Sequence, residues 1–326
     1  MAKFIMDNLK TYTQHDIDRL VIHREGETKL GEKVAVISSW EELPDTKAKF
    51  VLLGIPEDIG VRANGGMAGA ASAWRPALTA FLNIQSNRFL GGNEILVLGH
   101  FEIDEPGDSS IKALRDKVAE IDDLVYPIIE KITAAGKIPI VIGGGHNNAY
   151  PIIKGVSLAN KTPIDVLNID AHADLRGLEG RHSGNGFSYA LNENYLDHYF
   201  MYGLHQNYNN EAILSQIDNN PKLKAVFFED ILTGRDDNGL FDELGSTAGL
   251  EIDLDGIQNI LSSAETPSGF AVNEIRKLIL SKANKFSYLH ICEGATRMLD
   301  GRVNQSTAKL IAYLVSDFVK GHISSI

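Results

Sequence analysis

The chain has 326 residues, of which 44% are hydrophobic and 23% are charged. This composition predicts a folded protein with a large core and argues against extensive disorder. The net charge of −12 argues against general nucleic-acid binding, which needs a basic face, but leaves an anionic substrate possible because a pocket can carry its own local charge.

The sequence also bears on the compartment. Cys292 is the one cysteine, so a disulfide framework within the chain is impossible and a reducing compartment is expected. The first ten residues, MAKFIMDNLK, lack the apolar segment of a signal peptide. No apolar run approaches the length that spans a bilayer. We therefore expect a cytoplasmic protein without a membrane partner.

Apolar, β-branched runs alternate along the chain with segments of helical period. The predicted strands are 50–55, 94–99, 138–145, 164–170, 198–204, 224–230, 249–255 and 286–293. Continuous apolar runs are typical of parallel strands that are buried on both faces. The helical segments include 111–136, 272–285 and an amphipathic C-terminal helix over 306–321. We expect one α/β domain over 1–326, with 1–45 as an N-terminal lead-in.

The stretch NIDAHADLR, residues 168–176, places three polar residues at alternate positions after a predicted strand. Asp170, His172 and Asp174 would face the same way if the strand ran extended past its end. Burying two carboxylates this close together is costly unless a cation compensates. An Asp-rich turn with a helix cap is the alternative interpretation of this stretch alone.

Two other predicted strand ends carry residues of the same kind. His146 follows three glycines in VIGGGHNNAYP, and Asp253 and Asp255 lie two apart in LEIDLDGI. Four Asp side chains would balance the charge of two divalent cations, and a donor set of oxygen and imidazole without thiolate favours manganese. Two ions about 3.5–4 Å apart lower the pKa of a bridging water, so the expected nucleophile is a metal-bridging hydroxide.

Together these motifs resemble the ureohydrolase family of arginase, agmatinase and formimidoylglutamase. GGGH (143–146), DAHAD (170–174), EIDLD (251–255) and YLHICEG (288–294) occur in the family's order. The resemblance implies a three-layer α/β/α, arginase-like fold with an eight-stranded parallel sheet, and trimers or hexamers. It implies that Glu293 holds the amidine or guanidinium group of the substrate. It also implies two Mn²⁺ ions held by His146, Asp170, His172, Asp174, Asp253 and Asp255.

Within the family, the chain most resembles formimidoylglutamases. Gly145 stands where guanidine-cleaving members usually have Asp, and Arg176 stands where arginase-like members carry Asn. Arg176 could bind a substrate carboxylate through two hydrogen bonds, although a surface Arg near the site mouth is the alternative. An early glycine-rich loop also resembles theirs, with Arg62 and Asn64 as candidate polar contacts. Asp174 could pass a proton to the departing nitrogen.

Further substrate contacts are expected around this centre. In RHSGNGF, residues 181–187, Ser183 aligns with the proton-shuttling His of arginases. His182 is therefore a candidate acid or base from one position earlier, with a neutral surface imidazole as the alternative. Ser183, Asn185 and Asn148 are candidate hydrogen-bonding contacts to the substrate.

The expected reaction is hydrolysis of N-formimidoyl-L-glutamate to L-glutamate and formamide, a step in histidine breakdown. Three alternatives remain open. An arginase, agmatinase or other guanidino-compound hydrolase would release urea instead. A metal hydrolase of a related fold, such as a deacetylase, would bind a single zinc ion. A non-catalytic protein that kept the scaffold would show neither bound metal nor activity on amidines.

Overall fold

The computed structural model describes residues 8–235, 238–245 and 247–323. Within these ranges the strands are β1 (Leu9–Thr11), β2 (Phe50–Gly54), β3 (Ile95–Phe101), β4 (Ile138–Ile142), β5 (Ile164–Ile169), β6 (Leu196–Leu204), β7 (Leu223–Phe227), β8 (Ala248–Asp253) and β9 (Phe286–Cys292). They form one sheet in the order β1-β3-β2-β4-β9-β8-β5-β6-β7.

The eight predicted strands correspond to β2 through β9, and all of them pair in parallel. The expected strand count is nevertheless wrong by one. β1 lies in the lead-in and pairs antiparallel with β3, with Leu9 opposite Phe101. A strand of three residues is too short to leave a periodic pattern in the sequence, and it forms because the edge of β3 offers unpaired backbone groups.

The α-helices within the described residues are α1 (Gln14–Asp18), α2 (Ile59–Ala63), α3 (Trp74–Leu82), α4 (Ile111–Ala134), α5 (Ala149–Asn160), α6 (Gly186–Asn192), α7 (Glu211–Asn219), α8 (Phe228–Leu232), α9 (Val272–Lys282) and α10 (Ser306–Ile323). The three segments predicted to be helical correspond to α4, α9 and α10. Each helix of the described ranges falls short of the length or hydropathy that crossing a membrane would require.

The core lies on both faces of the sheet. Along β2, Phe50 and Leu52 belong to one buried cluster, whereas Val51 and Leu53 belong to the other. This alternation follows from the two-residue period of a strand that is covered on both sides. The first cluster includes residues of α3, α9 and α10, and the second includes residues of α4, α5 and α6. The predicted three-layer α/β/α arrangement is therefore confirmed.

The order of the central strands determines where polar residues can meet. β4, β9, β8 and β5 are consecutive neighbours and run in the same direction. The four sequence motifs lie at the carboxyl ends of these four strands, two just after the strand and two across its last residues. Ligand sites of open α/β sheets form at this edge, because the loops that leave adjacent parallel strands meet there.

Candidate active site

The ends of β4, β5 and β8 bring the six predicted metal-binding residues into two overlapping clusters. In each cluster the potential ligand atoms lie within 4.8 Å of one another. Asp170 belongs to both clusters, so its carboxylate could contribute to two cation positions. The clusters are His146, Asp170, Asp174 and Asp253 in the first, and Asp170, His172 and Asp255 in the second.

The imidazole of His146 is fully buried and faces three carboxylates. Its Nδ1 lies 2.9 Å from Asp174 Oδ2 and 3.3 Å from both Asp170 Oδ2 and Asp253 Oδ2. Neither ring nitrogen has a hydrogen-bond partner among the described residues. A buried polar atom without a partner is costly, and a cation among these atoms would remove that cost.

The second cluster has the same chemistry. His172 Nδ1 lies 3.5 Å from Asp170 Oδ1 and 3.4 Å from Asp255 Oδ2. Asp255 Oδ1 is buried and has no hydrogen-bond partner in the described part of the chain. The donor atoms of both clusters are oxygen and imidazole nitrogen, which suit divalent cations of the manganese type.

Electrostatics in the clusters reflect the crowding of acids. Burial raises the pKa of Asp253 well above its usual value, and the nearby Asp255 and Asp170 raise it further. Burial by itself would lower the pKa of His172, but Asp255 and Asp170 outweigh burial and raise it. Carboxylates packed this closely favour bound positive charge, whether as protons or as metal ions.

The expected extended conformation of the ligand stretches is wrong in both cases. β5 ends at Ile169, before Asp170, and β8 ends at Asp253, with Asp255 in a short 3-10 turn. In each stretch the first Asp side chain accepts a hydrogen bond from the backbone N–H two residues later. The His172 N–H donates to Asp170 Oδ1 at 2.7 Å, and the Asp255 N–H donates to Asp253 Oδ1 at 2.9 Å. Turns stabilised by Asp side chains therefore bring the ligands together.

Asp174 and Glu293 share an unusual backbone conformation. Their φ angles are 49° and 60°, in the left-handed region that residues with a Cβ atom rarely adopt. Both side chains line a cavity of about 530 Å³ above the clusters. Strained backbone of this kind is concentrated at functional sites, where the surrounding contacts hold it in place.

Glu293 is fixed beside the first cluster. Its Oε1 accepts a hydrogen bond from the backbone N–H of His146 at 2.9 Å. Burial raises the pKa of Glu293 to about 8, an effect that the His146 N–H opposes. Gly145 packs against the same carboxylate, since a Cβ atom built on it would lie 3.3 Å from Glu293 Oε1. The same Cβ atom would lie 2.6 Å from Asn147 Oδ1 and 2.8 Å from Val61 Cγ2, which explains the glycine.

Arg176, Ser183 and Asn64 line the same cavity. The Arg176 guanidinium donates to Asn64 Oδ1 at 2.5 Å and lies 2.9 Å from Glu179 Oε1. Asn64 in turn donates to Ser183 Oγ at 3.3 Å. The Arg176 side chain is about half exposed (48%), so part of its fork of N–H donors is free to bind a ligand.

His182 is placed differently from the expected acid or base. Its ring is buried, Nδ1 accepts from the Gly184 N–H at 3.1 Å, and Nε2 lies 3.1 Å from Glu179 Oε1. Burial lowers the pKa of His182 to about 4. Both ring nitrogens are therefore engaged in its own loop, and within the described chain His182 is not among the residues that line the cavity.

Asn185 and Asn148 also lie outside the residues that line the cavity in the described chain. Asn185 donates to the carbonyls of Gly177 and Gly180, at 3.1 and 2.8 Å. Asn148 donates to Glu57 Oε1 and to the Gly145 carbonyl. These contacts hold the loops that carry site residues. Arg62 is similarly occupied, in ion pairs with Asp58 and Glu105.

Sequence reasoning missed Glu57, which follows β2. Its buried carboxylate accepts from the backbone N–H of Gly145 at 2.9 Å and of Gly60 at 3.1 Å, and from Asn148 at 2.7 Å. Burial raises the pKa of Glu57, and these donors oppose the increase. Glu57 follows β2, which neighbours β4 in the sheet, and an acid at such a strand end is the sequence feature that could have identified it.

Glu251 lies in β8, two residues before Asp253, and is a second acid that is absent from the predicted ligand set. Its carboxylate is fully buried and accepts from His290 Nδ1 at 2.5 Å and from the Tyr288 hydroxyl at 2.7 Å. Its Oε2 also lies 3.5 Å from His146 Nε2. Burial opposes ionisation, but His290 and His146 outweigh it and lower the pKa of Glu251 to about 2. Glu251 thus lies behind a candidate metal ligand.

Comparison with known proteins identifies the class of this fold and site. The model of the arginase family matches residues 48–318. Because that match covers most of the sequence, the chain belongs to the arginase family.

Individual similarities point in the same direction. The formimidoylglutamase of Hahella chejuensis is 28% identical over 200 residues, which cover 58% of this chain and 56% of that protein. The chain thus spans about half the length of the curated relatives it matches. Formimidoylglutamase from Bacillus subtilis has a TM-score of 0.73 at 16% identity, over 93% of this chain and 94% of that one.

A second solved structure, the Trypanosoma cruzi formiminoglutamase with Mn²⁺, has a TM-score of 0.70 at 19% identity, over 90% of this chain and 98% of that one. At such identities these structural likenesses establish the arginase-like fold of this chain.

Proposed function

We propose that the chain hydrolyses the C–N bond of a linear amidine, and that its substrate is N-formimidoyl-L-glutamate. The observation that carries this proposal is the lining of one cavity by Glu293, Arg176 and residues of both acidic clusters. N-formimidoyl-L-glutamate has an amidine that suits a buried carboxylate and two carboxylates that suit a guanidinium. The similarity to formimidoylglutamases supports the same substrate.

The six clustered residues would hold two Mn²⁺ ions, with Asp170 contributing to both positions. The partnerless His146 Nδ1 and Asp255 Oδ1, together with donors that are all oxygen or nitrogen, support this assignment. When bound, such a pair of ions supplies Lewis-acid activation of water and stabilises developing negative charge.

The chain's own residues would orient the substrate and move the proton. Glu293, held by the His146 N–H, would pair with the two nitrogens of the planar amidine. Arg176, positioned by Asn64, would bind a substrate carboxylate. Water adds to the amidine carbon and the bond to the glutamate nitrogen breaks, which yields formamide and L-glutamate. Asp174, which lines the cavity, would carry the proton to the departing nitrogen.

A substrate panel tests the proposal. The full chain, loaded with Mn²⁺, is assayed with N-formimidoyl-L-glutamate, L-arginine and agmatine, and glutamate, formamide and urea are measured. We expect glutamate and formamide in equal amounts and little urea. Faster urea release from arginine or agmatine would refute the substrate assignment. Bound metal is counted in parallel, because a single zinc ion per chain would favour the deacetylase alternative, and an absence of both metal and activity would favour a binding protein.

We also propose that residues 1–326 form one domain that assembles into a homotrimer or homohexamer, as the family resemblance implies. Sedimentation equilibrium of the full chain tests the assembly. A monomer at micromolar concentration would contradict it.

A further inference from the structure

A second cavity, of about 480 Å³, lies beside the sheet edge formed by β1 and β3. It shares no lining residue with the cavity above the acidic clusters. The charged groups that line it are Lys10 on β1, Arg19 after α1, Arg75 in α3 and a single carboxylate, Asp16. The cavity is thus basic in a chain whose net charge is −12.

The three cations of this second cavity lack close acidic partners in the part of the chain that the structure describes. Among the described residues, Lys10, Arg19 and Arg75 form no ion pair within 4.0 Å, whereas other Lys and Arg residues of the chain do, such as Arg276 with Asp317. Asp16 is engaged elsewhere, because its carboxylate accepts from the backbone N–H and the hydroxyl of Thr13 at 2.9 and 2.7 Å. The lining therefore carries an excess of about two positive charges at neutral pH.

Uncharged groups in the same wall could complete a binding site. The Nδ1 of His100 is buried and has no hydrogen-bond partner in the described part of the chain. Burial lowers the pKa of His100, and Lys10 and Arg75 lower it further against the opposing Glu102. The Tyr12 hydroxyl accepts from Trp74 Nε1 at 3.3 Å, so its own proton remains available to a ligand.

We propose that this cavity binds a small dianion, either a dicarboxylate or inorganic phosphate, at a site separate from the metal centre. A dianion would neutralise the excess charge of the lining. Arg19 and Arg75 can each offer two parallel N–H donors to a carboxylate or phosphate group. The Trp74 and Tyr12 rings provide an apolar wall beside these cations, against which a short hydrocarbon chain can pack.

Equilibrium dialysis tests this site. The metal-loaded full chain is dialysed against radiolabelled phosphate or glutarate, with acetate as the monoanion for comparison. The double variant Lys10→Gln/Arg75→Gln removes two lining cations. The matched control, Arg24→Gln/Lys33→Gln, removes two exposed cations that do not line the cavity.

We expect at least one dianion to bind to the parent chain and to the control, and acetate to bind much more weakly. In the Lys10→Gln/Arg75→Gln variant the affinity should fall about tenfold or more, because charge-assisted hydrogen bonds are lost. The phosphate and glutarate arms decide which dianion is preferred. Three results would overturn the proposal: no dianion binds at 10 mM, acetate binds as tightly as the dianions, or both double variants retain the parent affinity. The Arg19→Gln variant repeats the test if the first variant fails to fold.

Discussion

Glu293 accepts a hydrogen bond from the backbone N–H of His146, and this contact connects two motifs that lie 147 residues apart. The acid proposed to orient the amidine is therefore held by the residue proposed to ligate the first cation. This contact would therefore couple the position of the proposed amidine subsite to that of the candidate metal ligands.

Replacing Glu293 by Gln tests the amidine contact. Gln retains the size of the side chain and an acceptor for the His146 N–H, but it cannot take the negative charge that a bound amidinium would stabilise on Glu293. We expect kcat/KM for N-formimidoyl-L-glutamate to fall about 100-fold, the equivalent of ~3 kcal/mol, because charge-assisted hydrogen bonds to the amidinium are lost. Steady-state kinetics measure the effect, and metal content should not change. The exposed Glu105→Gln serves as the control, and equal activities of the two variants would disprove the role of Glu293.

Replacing Glu251 by Gln tests the residue behind His146. The change removes the charge that pairs with His290 and faces His146 Nε2. We expect the affinity for Mn²⁺ to fall about 10- to 100-fold, because groups behind a metal ligand orient it and raise its basicity. A chelator-competition titration measures the affinity. Tyr288→Phe, which retains the Glu251 charge, should have a smaller effect. An unchanged affinity in a folded Glu251→Gln variant would rule out this role.

The Arg176→Gln variant tests recognition of a carboxylate. We expect kcat/KM for N-formimidoyl-L-glutamate to fall about tenfold or more, because a charge-assisted contact is worth ~1.5–3 kcal/mol. The kcat/KM of the variant for an amidine without carboxylates, such as N-formimidoyl-ethylamine, should fall little. The preference of the enzyme for N-formimidoyl-L-glutamate over this amidine should therefore shrink. Parallel losses for both substrates would show that Arg176 supports the loop and does not select the substrate.

The buried Arg181 holds the loop that carries Ser183. Its guanidinium pairs with Asp122 at 2.7 Å and donates to the Asn147 carbonyl at 2.8 Å. Burial raises the pKa of Asp122 to about 6 despite this pairing. Arg181→Leu should lower the free energy of unfolding by about 3–5 kcal/mol, because it leaves a buried carboxylate unpaired. In urea denaturation, Asp122→Leu/Arg181→Leu should recover part of this loss. A single variant as stable as the parent chain would contradict the expectation.

The buried His322 should make the free energy of unfolding depend on pH. Its ring packs against Phe50 and Phe318, and burial lowers its pKa to about 4. The unfolded chain, with a pKa of about 6.5 at this residue, then binds more protons between pH 6.5 and 4. The stabilisation from neutral His322 is present above pH 6.5 and is lost as the pH falls towards 4, with a slope of at most about 1.4 kcal/mol per pH unit.

The His322→Phe variant should therefore lose less stability than the parent chain on acidification over this range. Denaturation midpoints at several pH values measure the difference. The exposed His23→Gln should behave like the parent chain. A His322→Phe variant with the parent's full pH dependence would show that other groups account for it.

The sequence by itself determined the parallel core of the sheet and the gathering of the six candidate ligands. Both depend on local patterns, since a buried strand is a continuous apolar run and its polar end residues lie at the carboxyl edge. Local pattern could not show that Asp170 and Asp253 each accept a hydrogen bond from the N–H two residues later. The sequence pattern therefore predicted correctly that these side chains lie close together, but it predicted extended strands where the structure has turns.

Only the tertiary structure decided which polar residues face the cavity and which support it. The order of the sheet places Glu251 opposite His290 on the neighbouring strand, and the loop after β5 buries the His182 ring against its own backbone. Both outcomes depend on pairing between segments that are distant or irregular in sequence. The energies of such contacts arise from desolvation and hydrogen bonding in the folded chain. The periodicity of apolar residues along the sequence gives no information about either of them.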